Sequence, residues 1–172
     1  IDQSFGSLSW SADQKAIYAT SAVNATYQLF ELNLDGKTFD ALQLKNVRAV
    51  TTGIHNINGC QVAGGKIIGT KNSMSVPAEL FAFEIKTGKA TQLSQANNEM
   101  ISEMKMGKVE KRMIKTTDGK DMLTWVIYPP DFDPAKKYPT LLYCQGGPQS
   151  AVSQFFSYRW NFQLMAANGY IV

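Results

Sequence analysis

One histidine, His55, occurs in the chain, and no set of histidine, cysteine and carboxylate side chains stands at metal-ligand spacing. A metal centre is therefore not expected. Cysteine is almost as scarce. Cys60 and Cys144 lie far apart in unlike surroundings, which favours two buried free thiols over a disulfide. No apolar run approaches the roughly 18 residues that a membrane-spanning helix needs. No secretory leader is visible, and the first residue is Ile rather than Met. The expectation is that the original N-terminus is missing, so the compartment cannot be read from this end. Strong charge of one sign is also lacking, with a net charge of +3. Six basic residues do cluster, at Lys105, Lys108, Lys111, Arg112, Lys115 and Lys120, against Glu110 and Asp118. Without an aromatic platform or recognition motif they read as a solvated strand face, and nucleic acid is not an expected partner.

What the sequence has is the composition of a folded protein. It is 44% hydrophobic and 18% charged, and 172 residues suffice for one ordinary domain or two small ones. Its first half repeats. Tyr27–Leu34 runs into Asp35-Gly36, and Ala78–Ile85 runs into Thr87-Gly88. Leu29, Phe30 and Leu34 match Leu80, Phe81 and Ile85 at an offset of 51. Each copy reads as a strand entering a glycine turn that favours a hairpin. Upstream of each stands another strand pair: residues 8–10 with 16–20, and 58–62 with 66–70 across Gly64-Gly65. Sets of four short strands at about 50 residues suggest β-propeller blades. Two blades do not close a ring. Further blades or other copies of the chain, as a homo-oligomer, would have to cover the open faces. An unrelated antiparallel β domain is the alternative. Gly59–Lys66 has the wrong spacing for a phosphate loop and reads as a turn between strands. Asn24-Ala25-Thr26 is a glycosylation sequon, informative only in a secreting eukaryote.

The polar stretch Ser94–Asn98 is the best boundary, dividing residues 1–98 from 99–172. Beyond it, residues 108–115 and 121–128 read as a hairpin around Asp118-Gly119. Leu123, Trp125 and Ile127 alternate with Thr124 and Val126 and give one apolar face. Pro129-Pro130 ends the second strand. Residues 140–145 are apolar without alternation, as in a strand covered on both faces. Phe155, Tyr158, Phe162 and Met165 follow at spacings of 3, 4 and 3 and predict a helix, which Asn168-Gly169 stops. The aromatics there, Phe156 and Trp160 included, are expected mainly as core, with one or two bordering a peptide pocket. Tyr170–Val172 reads as the start of another buried strand, so the pattern is a βαβ unit cut off at its third element.

The turn Gln145-Gly146-Gly147-Pro148, at the end of the apolar run, is the strongest site candidate. Glycines allow positive φ and close backbone approach. Backbone amides after a strand can stabilise negative charge developing on a substrate carbonyl. Alone, Gly-Gly-Pro is a plain tight turn as readily as a site.

Its context narrows the choice. Thr117-Asp-Gly-Lys120, the run from Trp125 to Asp133, the run from Lys136 to Leu142, Gln145–Pro148 and Asn168–Val172 stand in an order and spacing that resembles the prolyl oligopeptidase family of serine peptidases. Glu79-Leu-Phe81, Lys86-Thr-Gly88 and Gln92-Leu-Ser94 are similar to that family's last propeller blade. The likeness is strong from about Ala78 onward and closest to the family's bacterial dipeptidyl-peptidase branch. The resemblance implies the last two blades of a β-propeller, residues 1–98, followed by the N-terminal part of an α/β-hydrolase domain, residues 99–172. It implies a peptidase that releases dipeptides from peptide N-termini with a Ser-His-Asp triad and without cofactor or metal. A periplasmic or secreted location would go with that branch. No Gly-x-Ser-x-Gly stands in the chain, so the triad is expected beyond it and the chain alone is expected to be inactive. His55 falls in the propeller-like half and is expected to be structural or exposed. Gln145, Gly146, Gly147 and Pro148 take the place of the oxyanion loop. The family often has tyrosine or histidine where Gln145 stands, so Gln145 either donates to the oxyanion or only shapes the loop. A β-rich module that binds peptide or glycan and a catalytically dead family member are the alternatives.

Overall fold

A computed structural model describes residues 4–34, 36, 44–146 and 151–172. The first half forms two antiparallel meanders. In the first, β1 (Phe5–Trp10), β2 (Ala16–Val23), β3 (Thr26–Asn33) and β4 (Val47–Ala49) pair in chain order. In the second, β5 (Asn56–Ala63), β6 (Lys66–Ser73), β7 (Val76–Glu84) and β8 (Ala90–Gln92) do the same. A parallel bridge between Tyr27 and Asn56 joins them.

The repeat extends beyond the apolar positions that reveal it. β1 carries a bulge between Gly6 and Ser9, and β5 one between Asn58 and Gln61. The bulged residues Ser7 and Gly59 both have positive φ, 52° and 76°. Asn24 and Ala25, at φ 49° and 57°, turn β2 into β3 with no slip in register. In both meanders the third strand buries a polar side chain that grips the chain leaving the fourth. Gln28 donates to the carbonyls of Gly53 and His55, while Glu79 accepts from the Ser94 hydroxyl and, at 2.7 Å, from the Asn97 amide. The hydroxyls of Thr51 and Ser94 accept from the amides of Leu29 and Leu80 at 3.0 and 2.8 Å. Leu29, Ile57, Ile67 and Phe83 are nearly free of solvent and form the core of this half. Burying each such side chain contributes about 1.5–3 kcal/mol.

The expected hairpin at Thr87-Gly88 is present, with Gly88 at φ +69° and its amide bonded to the Glu84 carbonyl at 2.7 Å. The matching turn at Asp35-Gly36 cannot be compared, because Asp35 and residues 37–43 lie outside the described residues; beyond them, β4 pairs back onto β3 with Val47 opposite Leu32. The second turn fits tightly in its place: a Cβ on Gly88 would lie 2.0 Å from the Val50 carbonyl oxygen.

A short helix α1 (Asn98–Ser102) leads into the second half. There β9 (Val109–Lys115) and β10 (Asp121–Ile127) form the expected hairpin in unbroken register, with Gly119 at φ +80° in its turn. The end of β10 continues the sheet: Ile127 and Val172 exchange backbone hydrogen bonds at 2.8 and 2.9 Å. Residue 171 in turn pairs in parallel with Thr140. The order is β9, β10, residues 171–172, then 139–141, so the expected parallel strands meet. Helix α2 (Phe162–Ala167) packs Phe162 and Ala166 against Trp125, Ile127 and Met74, the last from the turn after β6.

Two expectations are corrected here. The helix predicted from Phe155 onward begins only at Phe162. Residues 152–154 bond instead to distant side chains: Trp125 Nε1 donates to the Val152 carbonyl, Asn56 Nδ2 to the Ser153 hydroxyl, and Asn72 Nδ2 to the Gln154 carbonyl. Backbone and side chains tied down in this way hold these residues out of a helix and against the ends of β5 and β6. Asn161, extended at φ −88° and ψ 110°, then caps α2 by accepting from the Leu164 amide. Phe155 still packs edge-on against Phe162, but Tyr158 and Trp160 are exposed. The second correction concerns residues 140–145, which are not covered on both faces. Leu142 is 84% exposed. Its segment has a ladder partner among the described residues only at Ile171, so backbone pairing stops before the apolar run does.

Candidate functional site

Gln145 and Gly146 lie at the far end of that extended segment, next to a groove of about 820 Å³. Leu123 and Trp125 of β10, Tyr143, Val152, Phe162 and Val172 line it, and its surface is mostly apolar. Thr140, Tyr143 and Gln145 are the polar side chains of the segment that line it, and the last two are bonded to each other. The Tyr143 hydroxyl donates to Gln145 Oε1 at 3.0 Å. The Tyr143 ring stands edge-on to Phe162, with centroids 4.9 Å apart at 68°. Tyr143 and Gln145 are two apart in an extended segment and so share a face. A Cβ on Gly146 would meet nothing within 4 Å, which leaves room for a ligand to approach the backbone there. Gly147 and Pro148, the rest of the expected loop, lie outside the described residues.

The groove is rigidly framed. Trp125 is pinned by its Nε1 bond to Val152. Gln163 of α2 is buried and reaches both ways: its Oε1 accepts from the Gly107 amide at 2.7 Å, and its Nε2 donates to the Gly107 carbonyl at 3.0 Å and the Ser75 hydroxyl at 2.8 Å. Gly107 has no room for a side chain, because a Cβ would lie 1.8 Å from the Tyr128 carbonyl oxygen. Sequence reading missed Tyr143, Gln163 and the 152–154 anchor. Only Tyr143 carried a signal, its place two residues before Gln145.

Of the other titratable groups, Asp121 also lines the groove and Cys144 stands in the same segment as Tyr143. His55 lies in the turn before β5. Burial, with a smaller contribution from the charge of Lys71, pushes its pKa down to about 4. Its Nε2 is buried without a hydrogen-bond partner, and a Cβ on Gly53 would lie 2.7 Å from its Cε1. This is the packing of a neutral structural histidine. Both cysteines are free, as expected. Cys60 is buried, and burial raises its pKa to about 11. Cys144 is exposed, contrary to expectation, because it shares the uncovered segment with Leu142. The basic cluster is a solvated face: Lys108 and Arg112 pair with Glu110, Lys115 with Asp121, and Lys120 with Asp118. Among the described residues no three metal-ligating side chains converge, and no helix is long and apolar enough to cross a membrane.

No family model matches the chain. Known proteins do. Dipeptidyl-peptidase 5 of Porphyromonas endodontalis is 42% identical over 157 residues, 91% of this chain and 22% of that protein. Dipeptidyl-peptidase 5 of Porphyromonas gingivalis is 39% identical over 172 residues, all of this chain and 24% of that protein. These relatives support the prolyl oligopeptidase family for this chain. The chain spans less than a quarter of the length of these two relatives. Solved structures of the family's peptidases share its fold. Pyrococcus horikoshii acylaminoacyl peptidase superposes with a TM-score of 0.76 at 24% identity, over 99% of this chain and 24% of that one. Porphyromonas gingivalis dipeptidyl peptidase 4 does so with a TM-score of 0.67 at 21% identity, over 100% of this chain and 24% of that one. The β-rich architecture of these prolyl oligopeptidase-family proteins therefore runs through nearly the whole chain.

Proposed function

We propose that this chain is the junction of a serine dipeptidyl-peptidase. In this reading residues 1–98 are the last two blades of a β-propeller, and residues 99–172 open the α/β-hydrolase domain. The single observation that carries it is the 39% identity to a dipeptidyl-peptidase 5 over every residue of the chain. The two repeated meanders support the propeller half. The strand order β9, β10, 171–172, 139–141 supports the hydrolase half, since parallel strands joined through a helix are its building unit.

The whole enzyme would take peptides with free N-termini and release dipeptides. Its serine would attack the scissile carbonyl, its histidine would carry the proton, and its aspartate would orient the histidine. All three would come from outside these residues. This chain would supply part of the environment for the charge that the attack creates. The Gln145–Pro148 turn would form the oxyanion loop, with backbone amides and the Gln145 carboxamide as donors. The apolar groove beside Gln145 would border the bound peptide.

The test is product analysis with the protein made from the whole reading frame. Incubated with an unmodified decapeptide, it should release dipeptides in sequence from the N-terminus, read by mass spectrometry. An N-acetylated copy should resist, and a fluorophosphonate that traps active serines should abolish release. Cleavage at internal bonds alone, or no cleavage with no fluorophosphonate labelling, would overturn the reading.

A further inference from the structure

We propose that Tyr143 is a positioning residue for Gln145: its hydroxyl orients the carboxamide so that the N–H₂ end, not the carbonyl, serves the oxyanion. This rests on the reading of Gln145 as an oxyanion-loop residue. The observation is the 3.0 Å hydrogen bond from the Tyr143 hydroxyl to Gln145 Oε1.

A carboxamide has an acceptor end and a donor end of nearly equal size. Turned one way it stabilises a negative oxygen; turned the other way it repels it. On an exposed glutamine nothing intrinsic selects between the two. A phenol O–H does select. It is a good donor and, with its lone pairs drawn into the ring, a poorer acceptor, so it engages the carbonyl end and leaves the N–H donors directed away. The bond is local, because the two residues share a face of the extended segment. The hydroxyl is also anchored. Its ring packs edge-on against Phe162, which is 4% exposed and belongs to the core formed with Trp125 and Ile127. Tyr143 thus carries the rigidity of that core out to the tip of an exposed side chain. Such preorganisation matters because donors aimed in advance need no reorganisation when the charge forms.

A double-mutant cycle on the whole-frame enzyme tests this. Y143F keeps the ring and deletes the donor. It should lower kcat about three- to tenfold, the worth of one neutral hydrogen bond, with KM little changed. In a Gln145→Ala background the same substitution should change kcat by less than about twofold. The cycle separates the two ways of failing. If Gln145→Ala leaves kcat unchanged, Gln145 is outside the mechanism and both readings fall. If Gln145→Ala lowers kcat but Y143F acts equally in both backgrounds, or not at all, the oxyanion reading stands and the positioning role is overturned. Should Y143F melt early, a fluorinated tyrosine at position 143 keeps shape and packing while its phenol ionises near neutral pH. Ionised, it only accepts, and it would draw the Gln145 N–H₂ toward itself. The kcat of that enzyme should fall as pH rises through the fluorophenol's pKa, a limb absent from the native profile. An unchanged profile overturns the proposal.

Discussion

Gln163 shows how a single residue can be decisive and yet illegible. In the sequence it sits between Phe162 and Leu164 and reads as the polar face of a helix. In the fold it is 4% exposed and satisfies both backbone groups of buried Gly107, 56 residues away. Gln163→Ala would leave that N–H and C=O without partners, and should cost about 2–4 kcal/mol in urea unfolding of the chain. A loss under about 0.5 kcal/mol would mean that water replaces the side chain. The thiols give a second test at this scale. Ellman's reagent should modify Cys144 quickly in the folded chain and Cys60 only after unfolding; two equally fast thiols would contradict the burial of Cys60. His55 gives a third. Its folded pKa, about 4, lies below the ordinary 6.5, so the unfolded chain binds more protons between those values. Its contribution to stability is complete above pH 6.5 and is lost as pH falls from 6.5 through 4. Replacing His55 with glutamine should flatten the stability curve in that window, and an unchanged slope would show that His55 is not the titrating group.

At the scale of elements, the strands were legible wherever turn chemistry and alternation agreed. The β5–β6, β7–β8 and β9–β10 hairpins all turn at glycines with positive φ, and their registers follow the apolar positions. The deeper repeat was hidden. Gln28 and Glu79 look like solvent-facing residues of amphipathic strands, and their burial depends on loops that return more than ten residues later. The helix was overread for the opposite reason. Three aromatics and a methionine at 3-4-3 spacing also suit an irregular chain draped over a core, and what decided between them were bonds from Asn56 and Asn72, far away in sequence. Residues 140–145 read as a buried strand because composition reports what a segment can bury, not which neighbours pair with it. Hydrogen exchange should follow the observed pairing. In the chain as described, the Leu141 amide, bonded to Ile171 at 2.8 Å, should be protected, and the amides of Leu142 and Cys144 should exchange far faster than those of β2 and β6. Equal protection across 141–144 would mean that the segment is paired along its length.

At the scale of the whole molecule, the candidate site was half legible. The Gln145–Pro148 turn stood out through its glycines and its neighbours, while the hydrogen bond from Tyr143 to Gln145 appeared only with coordinates. The chain covers less than a quarter of the dipeptidyl-peptidases it is similar to, and it holds no Gly-x-Ser-x-Gly. It should therefore hydrolyse no dipeptidyl-nitroanilide by itself, however well it folds. Its part in the proposed reaction would be to frame the proposed oxyanion loop with a core shared between the meanders and the β9–β10 sheet. The most direct test of that part is the steady-state kinetics of Gln145→Ala in the whole-frame enzyme. The account predicts a fall in kcat of about a hundredfold with KM changed far less, the pattern of a donor that acts mainly on the transition state. A kcat equal to that of the native enzyme would contradict it.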